Sequence, residues 1–224
     1  MGNLAHALTA IIRSWSPCTG LLRFFTLSLC MGLMACTSQP AEYTCSPEAI
    51  RLNWAAPADL KQTVATLSSA ELMGRKTQTE GAAKARDYLN RQFQQLGLKP
   101  WGTTFEVPFE YSTLFSQEEG SNLVALAPAR QPTDKWRIVV AHYDHLGIKG
   151  GKVYHGADDN ASGVAALLAI ANHWQAQQRA APDSLPNINL MFVATDAEEP
   201  GLFGSTALVE QLKQRMPEAQ FELM

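Results

Sequence analysis

The order of periodicities in this chain predicts an α/β fold: a three-layer sandwich with a mixed central sheet flanked by helices. Two short runs, "RIVVA" and "INLMFVA", are apolar without alternation, as strands buried on both faces are. Segments with apolar residues three and four apart stand between and beside these runs, so that strand and helix patterns take turns. The length of 224 residues, with 46% hydrophobic and 17% charged residues, suits one domain with a sizeable core. A formal net charge of -3 argues against a nucleic-acid partner, and no heptad pattern, internal repeat or long single-sign run suggests another architecture.

Residues 1–35 have the character of a signal peptide. They contain Arg13 and Arg23, no acidic residue, and an apolar run from Phe24 to Ala35 that is short for a bilayer span. The stretch "LMAC" resembles a bacterial lipobox, which would place cleavage before Cys36 and a lipid on that cysteine; an ordinary signal peptide or a buried helix is the alternative. The expected location is the bacterial cell envelope, at the outer membrane or the periplasmic face, with the lipid on Cys36 as the membrane contact. Loss of the signal removes Arg13 and Arg23, taking the formal charge from -3 to -5, and removes Cys18 and Cys30; with Cys36 lipidated, Cys45 is expected to have no intramolecular disulfide partner. Residues 36–57, weakly patterned and containing Ser, Pro and Ala, are expected to be a tether.

The domain is expected over 58–224. Leu60, Val64 and Leu67 share one helical face. Ala82, Ala85, Leu89, Phe93 and Leu96 form a clearer stripe, stopped by Gly97 with Pro100 beyond it. "TTFEVPFEYST" alternates as a half-buried strand does, and "SNLVALAPA" and "WRIVVAHYDHLG" supply further strands. "GVAALLAIANHWQAQQ" is a helix, "INLMFVATDAEE" a buried strand ending in acids, and "LFGSTALVEQLKQR" a helix again.

Three polar clusters fall at comparable places. "HYDH" follows one buried strand, "DAEE" follows the other, and "HGADDNASG" opens a helix. Each alone is a weak signal: a strand end, a helix entry, or a turn in which Asp159 or Asn160 caps the helix. Ligands of open α/β sheets collect outside the carboxyl ends of the strands, so His142, Asp144, Asp158, Asp159, Glu198 and Glu199 can meet on one rim. Two adjacent carboxylates repel unless a cation joins them. His142 offers an imidazole, and Asp144, two residues on in an extended segment, can orient it. Asp158 can bridge two cations, Glu199 can bind one, and Glu198 remains to act as a base. Nitrogen and oxygen donors without sulfur suit catalytic zinc, and two ions would polarise a carbonyl and activate water.

"AHYDHLG", "HGADDNASGVAALLAIA" and "MFVATDAEEPGLFGS", in that order, resemble the dinuclear-zinc aminopeptidases. These are the bacterial leucine aminopeptidase and aminopeptidase Y type, in the superfamily that includes glutamate carboxypeptidase II. "ELMGRKTQTEGAAKARDYLNRQFQQLGLKP" is similar to their N-terminal region, and the likeness covers about residues 60 to 224. It implies an eight-stranded mixed sheet and an exopeptidase acting on N-terminal residues of peptides. It implies two zinc ions, with His142 on one, Asp158 bridging both and Glu199 on the other. Glu198 would be general base and acid, Asp144 would orient His142, and Asp159 and Asn160 would support the ligands. A cis peptide between Asp158 and Asp159 is implied as well. The family also uses an Asp and a late His further along the chain than "FELM". The domain is therefore expected to be incomplete at its C-terminal end, with loosely held metal and the Ile188 to Ala194 strand partly uncovered. Rival readings are a zinc carboxypeptidase or deacylase of the related amidohydrolase type, a single-zinc glutaminyl cyclase, and an inactive truncated lipoprotein on a peptidase scaffold.

Overall fold

The computed structural model describes residues 55–222, which fall in one compact unit. The predicted signal peptide, Cys36 and most of the predicted tether lie outside the described residues. Among the described residues, no helix is long and apolar enough to cross a membrane.

Helix α1 (Pro57–Leu67) starts on a proline, whose fixed φ suits a first turn that needs no amide donor. Helix α2 (Glu80–Gln95) is capped by Thr79, whose hydroxyl accepts from the Ala82 amide at 3.4 Å. It buries the predicted stripe Ala82, Ala85, Leu89 and Phe93, and the chain leaves it through Gly97 at φ 72°. The strands are β1 (Lys99–Pro100), β2 (Glu106–Ser112), β3 (Gln117–Ala127), β4 (Lys135–His142), β5 (Gly147–Lys149) and β6 (Lys152–Tyr154). Helix α3 (Ser162–Ala180), strand β7 (Asn189–Thr195), helix α4 (Phe203–Arg215) and strand β8 (Gln220–Phe221) complete the chain.

The sheet is mixed, in the order β1-β3-β7-β4-β8, with β2 also pairing with β3. β3 runs antiparallel to β7, whereas β4 runs parallel to β7 and to β8. Alternate residues of β3 and β7 serve opposite faces. Leu123, Ala125, Phe192 and Ala194 pack with Leu89 and Phe93 of α2 and Val164 and Leu167 of α3. Val124, Met191 and Val193 pack with Leu208 and Leu212 of α4. Helices thus cover both faces, which is the three-layer arrangement that the continuous apolar runs predict.

Among the described residues the sheet has six strands, fewer than the eight of the family sheet, as expected of a domain lacking the later strands, and β5 and β6 form a separate two-stranded hairpin. The structure differs from the expectations in two respects. β7 is buried along its whole length, between β3 and β4, rather than partly uncovered. β4 was expected to be buried on both faces, but Val140 is 56% exposed. Among the described residues β8 pairs with β4 at Lys135 and Trp136, at the other end of the strand, and Val140 belongs to neither apolar cluster, whereas Ile138 packs against the one that holds Leu208 and Leu212 of α4.

Candidate metal centre

Two parallel strands end side by side. His142, the last residue of β4, is in register with Thr195, the last of β7, and the Tyr143 amide extends the pairing to the Thr195 carbonyl at 2.9 Å. Both polar clusters therefore emerge at one edge of the sheet. The buried carboxylate of Asp144 fastens them together, with Oδ1 accepting from the Glu198 amide at 3.1 Å and Oδ2 from the Glu199 amide at 3.2 Å. In the "DAEE" cluster the first acid turns inward. Asp196 is buried and accepts from the Thr77 hydroxyl, the Ser121 amide and the Ala197 amide. Burial raises its pKa, and these three bonds pull the other way. Glu198 and Glu199 are left facing the rim.

The third cluster arrives on a wide turn, Ala157–Ala161, ahead of α3. Asp159 (φ -115°, ψ 97°) and Asn160 (φ -130°, ψ 41°) leave helical geometry there, which swings the Asp159 side chain across to His142. The Asn160 side chain accepts from the Gly163 amide at 3.0 Å, so the helix is capped by Asn160 and not by Asp159. The cis peptide lies between Asp159 and Asn160, one residue later than implied. The small residues around the acids have a steric cause. Gly156 has φ 58°, and a Cβ there would meet the Asp159 carbonyl at 2.4 Å, the Arg75 guanidinium at 2.6 Å and the His145 ring at 2.6 Å. A Cβ on Gly163 would lie 2.2 Å from the Asn160 side chain.

Arg75 holds this turn from behind. It is fully buried and donates to the carbonyls of Leu67, Tyr143, His155 and Gly156, joining the end of α1, the end of β4 and the entry to the Asp turn. Burial lowers its pKa to about 10 against the pull of Asp144, Asp159 and Glu199, so it stays charged near neutrality. In the sequence it is one basic residue in "MGRKT", and nothing in spacing or hydropathy marks it as internal.

The expected ligands sort as follows. The Asp159 Oδ1 atom lies 3.1 Å from His142 Nε2, and Oδ2 lies 3.9 Å from His145 Nδ1. Asp159, expected in a supporting place, therefore holds the position expected of Asp158. Asp158 contributes its main-chain carbonyl, which accepts from the Ser162 hydroxyl at 2.7 Å. Its neighbour reaches the site because successive side chains in the non-helical part of the turn point opposite ways. The Glu199 carboxylate lies 2.5 Å from His145 Nδ1, and Glu198 reaches His142 Nε2 only at 3.9 Å. His142 Nδ1 lies 3.2 Å from the main-chain carbonyl of Asp144 and 3.6 Å from its carboxylate. The closer orienting contact thus comes from the backbone of Asp144, whose carboxylate is engaged by the two Glu amides. In either case the Nδ1 proton of His142 is held and Nε2 faces Asp159. Burial lowers the His142 pKa, but Asp144, Glu198 and Asp159 together raise it above the ordinary value. His145, which is not among the ligands expected from the sequence, joins the cluster. Its spacing of three from His142 was the available signal.

These donors fit a divalent cation. One donor atom each of His145, Asp159 and Glu199 lies within 4.8 Å of the others, and His142 adds a second imidazole across Asp159. Imidazole nitrogen and carboxylate oxygen without thiolate are the ligand types of catalytic zinc. A cleft of about 560 Å³ opens beside the cluster, lined by Thr77, Tyr111, Glu118, His145 and Glu199 among others, a volume that accommodates a small ligand.

Comparison with known proteins agrees with this geometry. Residues 122–223 match the model described as peptidase family M28. The chain is 26% identical, over 170 residues, to the alkaline phosphatase isozyme conversion protein of Escherichia coli K12, covering 70% of this chain and 47% of that protein. Among solved structures, LapB of Legionella pneumophila is 25% identical with a TM-score of 0.53, over 71% of this chain and 40% of that one. The Legionella pneumophila LapA aminopeptidase is 21% identical with a TM-score of 0.52, over 73% and 40%. Glutaminyl cyclase of Fimbriiglobus ruber is 21% identical with a TM-score of 0.57, over 74% and 59%. The last two likenesses concern the fold alone. The chain spans about half the length of the curated relative.

Proposed function

We propose that this chain, through its peptidase family M28 segment at residues 122–223, is a zinc-dependent exopeptidase that removes N-terminal residues from peptides. The observation that supports it is the meeting of His142, Asp159, Glu198 and Glu199 at one sheet edge beside an open cleft. His142, Asp159 and Glu199 would hold the metal. Zinc bound there would supply Lewis acidity toward a substrate carbonyl and make water more acidic. Glu198, which reaches His142 only at 3.9 Å, takes the proton from the attacking water and passes it to the departing amine. Asp144 fixes both Glu198 and Glu199 through their amides, so that base and ligand keep a constant offset. The cleft walls at Thr77, Tyr111 and Glu118 receive the peptide. The proposal includes attachment to the bacterial cell envelope through a lipid on Cys36.

The test uses the purified full-length protein with zinc. It should release p-nitroaniline from leucyl-p-nitroanilide and leave the N-acetylated analogue intact, and Cys36→Ala should free it from membranes. Release of C-terminal residues or of acyl groups would transfer the reading to the related carboxypeptidase and deacylase type. Cyclisation of an N-terminal glutamine without peptide hydrolysis would contradict it.

A further inference from the structure

We propose that Leu114 and Phe115, at the tip of the β2–β3 hairpin, form a subsite for an apolar side chain on the part of the peptide that follows the bond to be cut. The proposal rests on the exopeptidase reading above and deepens it from a reaction to a substrate preference.

The hairpin supplies one wall of the cleft. Tyr111 and Glu118, opposite each other in the β2–β3 register, line it with Thr113, and His145 and Glu199 line it from the metal positions. Leu114 and Phe115 follow Thr113 directly and are 93% and 95% exposed. Turns are ordinarily built from Gly, Pro, Asn, Asp and Ser. Two large apolar side chains at this tip add nothing to the core, and they leave in water a surface that a ligand would cover. An exopeptidase acting on N-termini keeps one residue before the cut bond. The rest of an extended peptide, at about 3.3–3.6 Å per residue, runs outward along a wall of the cleft.

This wall is fixed relative to Glu199. The Tyr111 ring stacks on Phe203, the first residue of α4, at 4.4 Å between centroids and 20° between planes. The Ser121 amide donates to the Asp196 carboxylate at 3.1 Å, and the Gln78 side-chain amide donates to the Glu119 carbonyl at 3.0 Å. The turn is also closed on itself. The Thr113 amide donates to the Ser116 carbonyl at 2.8 Å, and the Thr113 hydroxyl accepts from the amides of Ser116 at 3.1 Å and Phe115 at 3.3 Å. With the backbone held in advance, binding orders only the two side chains, which keeps its entropic cost small.

Charge favours a peptide over a lipid surface as the occupant. No Lys or Arg occurs between Trp101 and Ala129, whereas Glu106, Glu110, Glu118 and Glu119 lie on the two strands. An apolar tip on an acidic hairpin is repelled by anionic lipid and lacks the basic residues that hold a protein at headgroups. A peptide with a positive amino terminus meets no such repulsion.

The experiment compares the full-length, zinc-loaded protein with the double variant Leu114→Ser, Phe115→Ser, whose changes fall on exposed side chains and remove no packing. The substrates are Leu-Ala-Ala-Ala and the three peptides that carry one Phe at the second, third or fourth place. The wild type should favour one Phe peptide over the all-alanine one by about tenfold in kcat/KM, the size expected when a large apolar side chain is partly buried, with the change in KM. The double variant should lose that preference. Calorimetric titration with the same peptides, their first amide bond reduced so that it cannot be cleaved, should give the same ratio in Kd without any turnover. A preference kept by the double variant, or none in the wild type, would overturn the proposal and leave the exopeptidase reading standing. Binding to phosphatidylglycerol vesicles that depends on Leu114 and Phe115 would also overturn it, in favour of a membrane contact. Failure of the wild type to cleave any of the peptides would overturn the exopeptidase reading, and the calorimetric ratio would still decide the subsite.

Discussion

Asp158 and Asp159 show how much depends on one position. Both are exposed acids in the same turn, but the backbone leaves helical geometry at Asp159, so only that carboxylate crosses to His142. The pair was legible in the sequence as a charge conflict that a cation would resolve, because repulsion between neighbours follows from composition alone. Which member faces His142 was not legible, since it depends on two dihedral angles that the residue types do not set. His145 was missed for a related reason. A second histidine in "HYDH" reads as loop until the Asp turn and the "DAEE" turn close around it. Glu198 and Glu199 separated more cleanly, because adjacent side chains diverge and Asp144 holds the amide of each. Glu198→Gln removes a base and no expected ligand. It should therefore keep its zinc while turnover falls about 10²- to 10⁴-fold, read from kcat and metal content of the same sample. A near-normal kcat would remove Glu198 from its role.

At the scale of elements, the apolar runs located both central strands but did not show what covers them. "NLMFVAT" forms β7, buried throughout, with β3 and β4 on its edges and helices on both faces. "RIVVA" forms β4, whose Val140 side chain is more than half exposed. An apolar run reports what a strand can bury, and the neighbours decide what it does bury. The α2 stripe was read correctly because a helix carries its own period, whatever it packs against. Arg75 is the opposite case. It joins α1, β4 and the Asp turn through four carbonyls, and a lone Arg ordinarily reads as surface. The two strands should respond differently to substitution. Phe192→Ala empties a fully buried site on β7 and should cost about 3–5 kcal/mol. Val140→Thr on β4 should stay within about 0.5 kcal/mol. Urea denaturation measures both, and equal losses would mean that β4 is covered after all.

Across the whole molecule, the sheet brings residues 142 to 199 to one edge, and four acids, Asp144, Asp159, Glu198 and Glu199, gather around two imidazoles. The three-layer class and the sheet edge were legible because parallel buried strands end together. The β5-β6 hairpin was not, since among the described residues those two short strands pair with each other and not with the sheet. A cluster of this charge should be stabilised by a cation that binds the folded chain alone. Zinc at about a hundred times its dissociation constant adds roughly 2.7 kcal/mol per site, which raises the unfolding temperature of a chain this size by about 5–10 °C. The measurement is the zinc-dependent rise in unfolding temperature of the wild type, Asp158→Asn and Asp159→Asn. If Asp159 joins the metal positions, the wild type and Asp158→Asn show the rise and Asp159→Asn loses most of it. A full rise in Asp159→Asn, or its loss in Asp158→Asn, would contradict the metal centre described.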